Sequence, residues 1–396
     1  MKITAYAALA LLAAGGPAFA QDVTIINARL VMPDGAPVEN GSIVVRDGRI
    51  ASVGAGAPAE TAGETIDAAG MTVAPGFIDG HKHVAFDDGG TMALDLIENG
   101  FTTVLSGGGS DDGALAMAAQ IDAGEINGPR IIASGRVNLA GTPEEARQAI
   151  RDMAAKGITH TGEIPVTPEP GATEAELEVL RAALDEGEKQ GVQVNVHAVS
   201  TPAMMDTNDV GIRYQVHLPN KDFMSIDDAQ ELAATGTLVL DAISFGAPII
   251  DVFEQDNTPR FRTGGAWPDT IAGAVVDEKG RPTGVEGGYE IVNARTLWDA
   301  SNGTALGYGS DQNYGVRAVF EHELKSFMVV LSPRDFFRVI GPNTAAYVGM
   351  ADEIGTLEPG KRADIVILDG NPYEDFHDFL ETAVVLKDGV VVVDKR

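Results

Sequence analysis

Apolar and polar residues alternate in short runs at both ends of the chain, which is typical of β-strands with one exposed face. The segments VTIINARLV and GSIVVRDGRIASVG show this pattern near the start, and ADIVILDG and AVVLKDGVVVVDKR show it near the end. Asp-Gly pairs at 47–48 and 388–389 are favoured two-residue hairpin turns. Neither end is long enough to bury a core alone, so residues 22–74 and 353–396 are predicted to form one small β domain.

The middle of the chain, residues 75–352, alternates short apolar runs with amphipathic helical stretches such as TPEEARQAIRDMAAKG. This alternation predicts βαβ units around a parallel sheet. The predicted fold class is therefore α/β. A (β/α)8 barrel of the TIM type is the expected architecture, and a doubly wound open sheet is the main alternative. The eight candidate strands are GFIDGHKH, TTVLSG, RIIASG, ITHTGEIPV, VQVNVHA, RYQVHL, TLVLDAIS and ALGYGSD.

The first 20 residues have the pattern of a secretory signal peptide. One lysine precedes an apolar run over residues 5–14, and Ala-Phe-Ala at 18–20 matches the small-x-small cleavage pattern. We expect cleavage after Ala20 and export of the mature chain to the periplasm or the medium. No later segment has eighteen consecutive apolar residues, so no membrane span is predicted.

Charge and cysteine content restrict the classes of function. The formal net charge is -30, and no lysine- or arginine-rich cluster occurs, which disfavours nucleic acid and anionic membrane surfaces as partners. The chain has no cysteine, so thiol catalysis and thiolate metal ligation are excluded. A small-molecule substrate is the expected partner, and the possibility that the chain forms a homo-oligomer is left open.

Imidazoles and carboxylates fall near the carboxyl ends of the predicted strands. His81 and His83 would share one face of the first strand, with Lys82 on the other. Four histidines and two carboxylates at one rim, where barrels of this type carry their active sites, suit Zn²⁺, Mn²⁺ or Fe²⁺. The six candidate ligands are His81, His83, Glu163, His197, His217 and Asp311.

The remaining histidines fit this pattern poorly. Strand alternation places His160 on the face opposite Glu163, which predicts a structural role. His322 begins HELKS and lacks the second histidine of a metalloprotease motif. His377 lies in the predicted terminal domain. None of the three is expected to bind metal.

Two glycine-containing segments are predicted to be loops. Residues 107–110 lack the spacing of a phosphate-binding loop and are expected to form a flexible loop after the second strand. Residues 251–289 form the longest irregular stretch and are expected to cover the barrel mouth as a lid. Its side chains with a candidate role in specificity are Arg260, Arg262, Trp267 and Tyr289.

These motifs together resemble the amidohydrolase superfamily over nearly the whole mature chain. The resemblance is carried by PGFIDGHKH, GEIP, VNVHA, QVHLP, GSD and the tail GPNTAAYVGMADEIGTLEPGKRADIVILDGNP. It implies a barrel with a metal centre and a β-sandwich built from both termini. Many binuclear members carry a carbamylated lysine on strand 4, where this chain has Glu163. That glutamate resembles the enamidase-like and imidazolonepropionase-like branch, and Lys156 lies too early to replace it.

The resemblance also implies a ligand set for two divalent transition metals, with zinc expected and iron or manganese as alternatives. His81, His83 and Asp311 would hold the first metal. His197 and His217 would hold the second, and Glu163 would bridge the two. A mononuclear site, as in deaminase-like relatives, is left open.

What the resemblance implies for function is a metal-dependent amidohydrolase that cleaves a C–N bond of a cyclic amide, lactam or N-acyl substrate. A metal-bridging hydroxide would attack the carbonyl, and Asp311 would be the catalytic residue that carries the proton to the leaving nitrogen. The alternatives are an exported dipeptidase-like or deaminase-like enzyme, and a non-catalytic binding protein.

Overall fold

The computed structural model describes residues 21–86, 88–243, 284–311 and 315–396. The predicted signal peptide, residues 1–20, and most of the predicted lid lie outside the described residues. Within the described ranges, no helix has both the length and the apolar character needed to cross a membrane.

Strands from both ends of the chain form one eight-stranded mixed sheet, in agreement with the predicted joining of the two termini. Its strands are β1 (Val23–Val31), β2 (Pro37–Arg46), β3 (Arg49–Ala55), β4 (Glu64–Asp67), β5 (Thr72–Pro75), β15 (Ile365–Leu368), β16 (Thr382–Lys387) and β17 (Val390–Asp394). The order is β17-β16-β15-β5-β1-β2-β3, and β4 pairs with the first half of β1.

Hydrogen bonds connect these eight strands into one continuous sheet. Strand β1 links its parts, because it pairs antiparallel with β2 and parallel with both β4 and β5. Residues from both ends of the chain share one hydrophobic core, which includes Ile25, Ile43, Ile66, Ile365 and Val384.

Both predicted hairpin turns are confirmed. Asp47 and Gly48 have φ angles of 49° and 76°, and they connect β2 to β3. Asp388 and Gly389 have φ angles of 50° and 76°, and they connect β16 to β17. Two successive positive φ angles match the turn whose twist suits the flanking strands, and the second position favours glycine.

Each of the eight central segments predicted as strands contains a strand. These are β6 (Phe77–Lys82), β7 (Phe101–Ser106), β8 (Arg130–Ile132) with β9 (Ser134–Gly135), β10 (His160–Pro165), β11 (Gln193–His197), β12 (Tyr214–Val216), β13 (Leu238–Asp241) and β14 (Leu306–Tyr308). The predicted third strand is divided at Ala133 into β8 and β9. All pairings among these strands are parallel.

The central strands form a TIM-barrel-like arrangement of two arcs, β6-β7-β8 and β9 to β14 in chain order. This sequential order differs from that of a doubly wound sheet, in which strand order reverses. The pairings among described residues do not close a ring. The backbone N–H groups of Ser310 and Asp311 nevertheless donate to the His81 carbonyl, at 3.0 Å and 2.8 Å, and connect the end of the second arc to β6.

Helices follow the central strands, as the amphipathic segments of the sequence predict. They are α1 (Thr91–Glu98), α2 (Asp111–Asp122), α3 (Pro143–Ala155), α4 (Glu174–Gln190), α5 (Thr201–Asp209), α6 (Ile226–Thr235), α7 (Gly284–Ala300), α8 (Val316–Met328), α9 (Pro333–Arg338) and α10 (Thr344–Tyr347), with a π-helical turn at Val339–Asn343 and a 3₁₀ helix at Phe376–Leu380. Capping boxes start α3 at Thr142 and α4 at Thr173.

Apolar side chains fill the centre of the barrel-like domain. Ile78, Leu105, Val216 and Leu240, from four strands, form a buried cluster with Tyr347 of α10. This packing fixes the strands relative to one another. Polar side chains at their carboxyl ends are therefore held on a rigid support.

Ion pairs join the opposite, amino-terminal end of these strands to the terminal sheet. Arg130, the first residue of β8, donates to Asp364 at 2.7 Å and to Asp388 at 2.8 Å. Arg362 also donates to Asp388, at 2.8 Å. We call Arg130, Arg362, Asp364 and Asp388 the base network.

Candidate metal centre

The structure brings the six candidate ligands together at the carboxyl ends of the strands. His81 and Glu163 lie within β6 and β10, His197 ends β11, and the other three follow the ends of β6, β12 and β14. We call these six residues the rim cluster: His81, His83, Glu163, His197, His217 and Asp311.

Four of these side chains form a first group. Nε2 of His83 lies 3.0 Å from Oδ1 of Asp311 and 3.3 Å from Oε1 of Glu163. Nε2 of His81 lies 3.2 Å from the same Asp311 oxygen and 3.6 Å from Oε2 of Glu163. One ligand atom from each of the four lies within 4.8 Å of the others, so a single ion could contact them all.

A second group consists of Glu163, His197 and His217. Oε2 of Glu163 lies 2.7 Å from Nδ1 of His197 and 3.5 Å from Nε2 of His217. The two imidazole rings meet edge to face, with centroids 4.6 Å apart. Glu163 is the member common to both groups, and its carboxylate has one oxygen near His83 and the other near His197.

Hydrogen bonds within the rim cluster stabilise charged carboxylates. Burial opposes ionisation of Glu163, but the hydrogen bond with His197 and the nearby imidazoles of His217 and His83 outweigh it and lower the pKa of the carboxyl. Burial likewise opposes ionisation of Asp311, whose pKa is lowered by hydrogen bonds with His81 and His83. Both side chains are therefore anionic, the state in which a carboxylate binds metal.

The donor set fits a divalent transition metal. Zinc bonds of about 2.0–2.2 Å to nitrogen and oxygen place the ligand atoms of one tetrahedral ion roughly 3–3.5 Å apart. The imidazole–carboxylate distances within the cluster run from 2.7 Å to 4.0 Å. Within the described chain, the ion-pair partners of Glu163 and Asp311 are all imidazoles. Hydrogen bonds with Asp311 and Glu163 raise the pKa of His83 to about 10, so a proton on this imidazole balances part of the charge. A neutral imidazole is a metal ligand, so a divalent ion that displaced this proton would take over that balance.

Two members of the cluster have a backbone conformation that side chains rarely adopt. His217 and Asp311 have φ angles of 67° and 55°. Hydrogen bonds hold both backbones, because the His217 N–H donates to the Leu240 carbonyl at 2.8 Å and the Asp311 N–H donates to His81. Such strain costs of order 1–3 kcal/mol and tends to occur at functional sites.

Glycines after β7 and within β10 allow close packing beside the histidines. A Cβ on Gly107 would lie 2.5 Å from Cε1 of His81, and one on Gly162 would lie 2.8 Å from the Gly107 carbonyl oxygen. Sequence reasoning assigned Gly107 only to a flexible loop. A run of glycines directly after a strand that neighbours a predicted ligand strand was the signal for this close approach.

Lys82 and Ser310 are polar residues beside the ligands whose role the sequence did not predict. Lys82 points away from the cluster as expected, but it is 1% exposed and its ammonium donates to Ser310 Oγ at 3.2 Å. A buried lysine between two candidate ligand histidines leaves no periodic signal in a sequence.

The other titratable candidates lie outside the two metal-binding groups. Burial lowers the pKa of His160 to about 4, and the side chain contacts Thr159, in agreement with a structural role. Lys156, at the end of α3, donates to Asp111 and Asp112 at 2.7 Å and 2.8 Å. Among the described residues, His322 and His377 also join neither group.

Four side chains of the predicted lid are candidates for substrate specificity. Arg260, Arg262 and Trp267 lie outside the described residues. The ring of Tyr289, in α7, contacts the ring of Phe223 edge to face with centroids 4.5 Å apart. This contact pairs α7 with the loop after β12.

Comparison with known proteins gives the family. Residues 72–392 match the Amidohydrolase family. The chain is 24% identical to the imidazolonepropionase of Staphylococcus aureus strain Newman, over 90% of each protein. This similarity agrees with the imidazolonepropionase-like branch predicted from Glu163.

Solved structures show the same fold. A candidate prolidase from Bifidobacterium longum matches with a TM-score of 0.74 and 25% identity, over 96% of this chain and 97% of that one. A Xaa-Pro dipeptidase with bound methionine in its active site matches with a TM-score of 0.74 and 20% identity, over 93% and 99%. The chain therefore belongs to the amidohydrolase family and is a hydrolase that acts on carbon–nitrogen bonds.

Proposed function

We propose that the rim cluster binds two divalent metal ions and hydrolyses the C–N bond of a cyclic amide, lactam or N-acyl compound. His81, His83 and Asp311 would hold the first ion, His197 and His217 would hold the second, and Glu163 would be a ligand of both. The observation that carries this proposal is that the two metal-binding groups share Glu163. Zinc is the expected metal, with iron or manganese as alternatives. The proposal also assumes the closed ring of eight strands predicted from the sequence.

The metals, when bound, lower the pKa of a water and polarise the substrate carbonyl. The residues of the chain position both reactants. Asp311 accepts the proton of the attacking water and donates it to the leaving nitrogen, which would otherwise depart as a poor amide-anion leaving group. Its lowered pKa means that the carboxylate is ionised at neutral pH, which is the form that has room for a proton.

The substrate class draws support from the relatives. The name of the Staphylococcus aureus relative points to an imidazolone ring, which contains the kind of ring C–N bond proposed here. A dipeptidase is the second candidate, favoured by the candidate prolidase that is 25% identical over nearly the full chain. Both candidates require the same metal-bound cluster and differ only in the substrate that fits above it.

A substrate screen combined with metal analysis tests this proposal. The mature enzyme, loaded with zinc, manganese or iron, is assayed against cyclic amides, lactams, N-acyl amino acids and Xaa-Pro dipeptides. We expect nearly two metal equivalents per chain, turnover of one substrate class and slow turnover by Asp311→Asn. Turnover of dipeptides alone would favour the second candidate. Full activity without bound metal, or in Asp311→Asn, would contradict both.

We also infer that the chain is exported and that the mature protein begins at Gln21. The inference rests on the apolar run and the Ala-Phe-Ala pattern before that residue. Amino-terminal sequencing of the protein recovered from the periplasm or the medium tests it. A cytoplasmic protein that retains Met1 would contradict it.

A further inference from the structure

A buried polar network lies directly behind the rim cluster. Lys82 stands between His81 and His83 in the sequence, yet its side chain is 1% exposed and its ammonium donates to the Ser310 hydroxyl at 3.2 Å. Asp79 and Ser310 are also buried, at 1% and 2% exposure. A buried ammonium is unfavourable unless it is paired and hydrogen-bonded, so its presence here needs a reason.

The network connects the strand that carries two histidines to the segment that carries Asp311. The Ser310 hydroxyl donates to Oδ2 of Asp79 at 2.6 Å. Oδ1 of Asp79 accepts the backbone N–H groups of both His81 and Ser310, each at 3.1 Å. Asp79 therefore holds the two segments together, and Lys82 and Asp79 share the Ser310 hydroxyl between them.

Asp311 needs this support because its conformation is strained. Its φ angle is 55°, a value that residues other than glycine rarely adopt, and it directly follows Ser310. A change in the Ser310 backbone would swing the Asp311 carboxylate away from His81 and His83, which lie 3.2 Å and 3.0 Å from it. Small displacements of this kind weaken metal binding and catalysis strongly.

We propose that Lys82 is a positioning residue that acts through Ser310 to fix the Asp311 carboxylate in the metal site. This inference rests on the proposed role of Asp311. Lys82 belongs to neither metal-binding group among the described residues, and strand alternation places its side chain on the face of β6 opposite His81 and His83. Its charge and hydrogen bond hold the hydroxyl that sets the backbone before Asp311.

The test uses the Lys82→Met variant, which keeps an unbranched side chain and removes the ammonium. We expect kcat to fall about 10- to 100-fold, the usual cost of losing a residue that orients a metal ligand. KM should change less than about twofold, because substrate contacts are unaltered. The visible absorption spectrum of the cobalt-substituted enzyme should also shift, since it reports the geometry of the metal ligands directly.

Ser310→Ala removes the hydroxyl through which Lys82 would act, together with its bond to Asp79, and it can still refute the proposal if Lys82→Met does not fold. Ser310→Thr, which keeps a hydroxyl, should recover at least part of the lost kcat and the wild-type cobalt spectrum. Lys387→Met is the matched control, because that half-buried ammonium donates to the Gly128 carbonyl at 3.0 Å, at the far end of the barrel-like domain. This control should keep the wild-type spectrum and kcat.

The outcomes separate this inference from the function on which it rests. A wild-type cobalt spectrum and kcat in either Lys82→Met or Ser310→Ala would overturn the positioning role. Asp311→Asn, assayed in parallel, tests the proposed function itself. If Asp311→Asn is slow while the other two variants are normal, only the positioning role fails. If Asp311→Asn is fully active, the proposed function fails first.

Discussion

The two ends of the barrel-like domain both contain charged clusters, but these clusters are balanced differently. At the amino-terminal end, the base network pairs two arginines with two aspartates, at distances of 2.7–2.8 Å. At the carboxyl-terminal end, the rim cluster surrounds two carboxylates with four histidines. A guanidinium is charged at every accessible pH, whereas an imidazole is a titratable group that is also a good metal ligand.

Under the proposed function, this difference separates a structural cluster from a functional one. The base network contains its own permanent cations, so its charges are balanced by the chain alone and its contribution is to stability. The rim cluster pairs its two carboxylates with imidazoles that can give up their protons to bind a metal ion, so a bound metal would take over the balance of charge. We therefore expect changes at the rim to reduce activity and metal content, and changes at the base to reduce stability.

The largest expected effect comes from removing the carboxylate of Glu163, the proposed bridge between the two metals. Glu163→Ala takes away the carboxylate shared by both metal-binding groups. Metals supply several kcal/mol of transition-state stabilisation, so kcat/KM should fall at least about a thousand-fold. Metal content should fall from nearly two equivalents per chain, as measured by elemental analysis.

The matched control for this change is Glu178→Gln, an exposed carboxylate on α4. It should leave metal content and kcat/KM unchanged. If the Glu163→Ala enzyme retains two metal equivalents per chain, Glu163 is not the bridging ligand of the proposed site.

The second prediction concerns the base network, at the amino-terminal end of the strands. Arg130→Met leaves Asp364, whose side chain is 2% exposed, buried without its guanidinium partner. Removing one partner of a buried ion pair costs about 3–5 kcal/mol, which urea denaturation should detect as a lower free energy of unfolding. The metal-loaded, folded variant should keep wild-type kcat.

The control for this variant is an exposed arginine with a similar pair. Arg317 contacts Glu381 at 2.7 Å, and both side chains are about half exposed. Arg317→Met should therefore cost no more than about 1 kcal/mol. A loss of kcat in Arg130→Met without loss of stability would mean that the two ends do not divide activity and stability as proposed.

Metal binding should also stabilise the folded protein, and this stabilisation should require the rim cluster. A ligand that binds the folded state at a free concentration of 100 times its Kd stabilises it by about 2.7 kcal/mol. Titration of zinc into the chelator-treated protein should raise the melting temperature in both wild type and Arg130→Met. The rise should be much smaller in Glu163→Ala. Equal stabilisation of all three would place the metal outside the rim cluster.

The fold was largely predictable because its signals are local. Alternation located the strands, and Asp-Gly at 47–48 and 388–389 located two turns whose φ angles the structure confirms. The break of the third strand at Ala133 and the pairing of β1 with three partners were not predictable. Both depend on packing between segments that are distant in the sequence.

The site was predictable only as a set of residue types at strand ends. The six side chains meet as expected because parallel strands end at the same rim. The Lys82–Ser310 contact and the packing of Gly107 against His81 join residues 228 and 26 positions apart, respectively, and neither leaves a periodic pattern. Arg130 gave no signal either, since an isolated arginine at a strand start has no visible partner.

The smallest predicted effect concerns acid stability and separates the two clusters by pH. Burial opposes ionisation of Asp388, but Arg130 and Arg362 outweigh it and hold its pKa below the usual range. A lowered pKa in the folded state contributes stability above the unfolded pKa, about 3.9, and this contribution is lost as the pH falls further. The Asp388 side chain is 41% exposed, so screening limits the contribution to about 1 kcal/mol or less.

Asp388→Asn tests this against wild type in metal-free protein, by urea denaturation between pH 7 and pH 3. The difference in unfolding free energy should be constant down to about pH 5 and then shrink as Asp388 is protonated in the unfolded state. Both variants carry the same rim cluster, so its titration cancels in the difference. A difference that grows as the pH falls would mean that the arginines do not stabilise the charged form of Asp388. The base network would then not be the self-balanced cluster that the comparison requires.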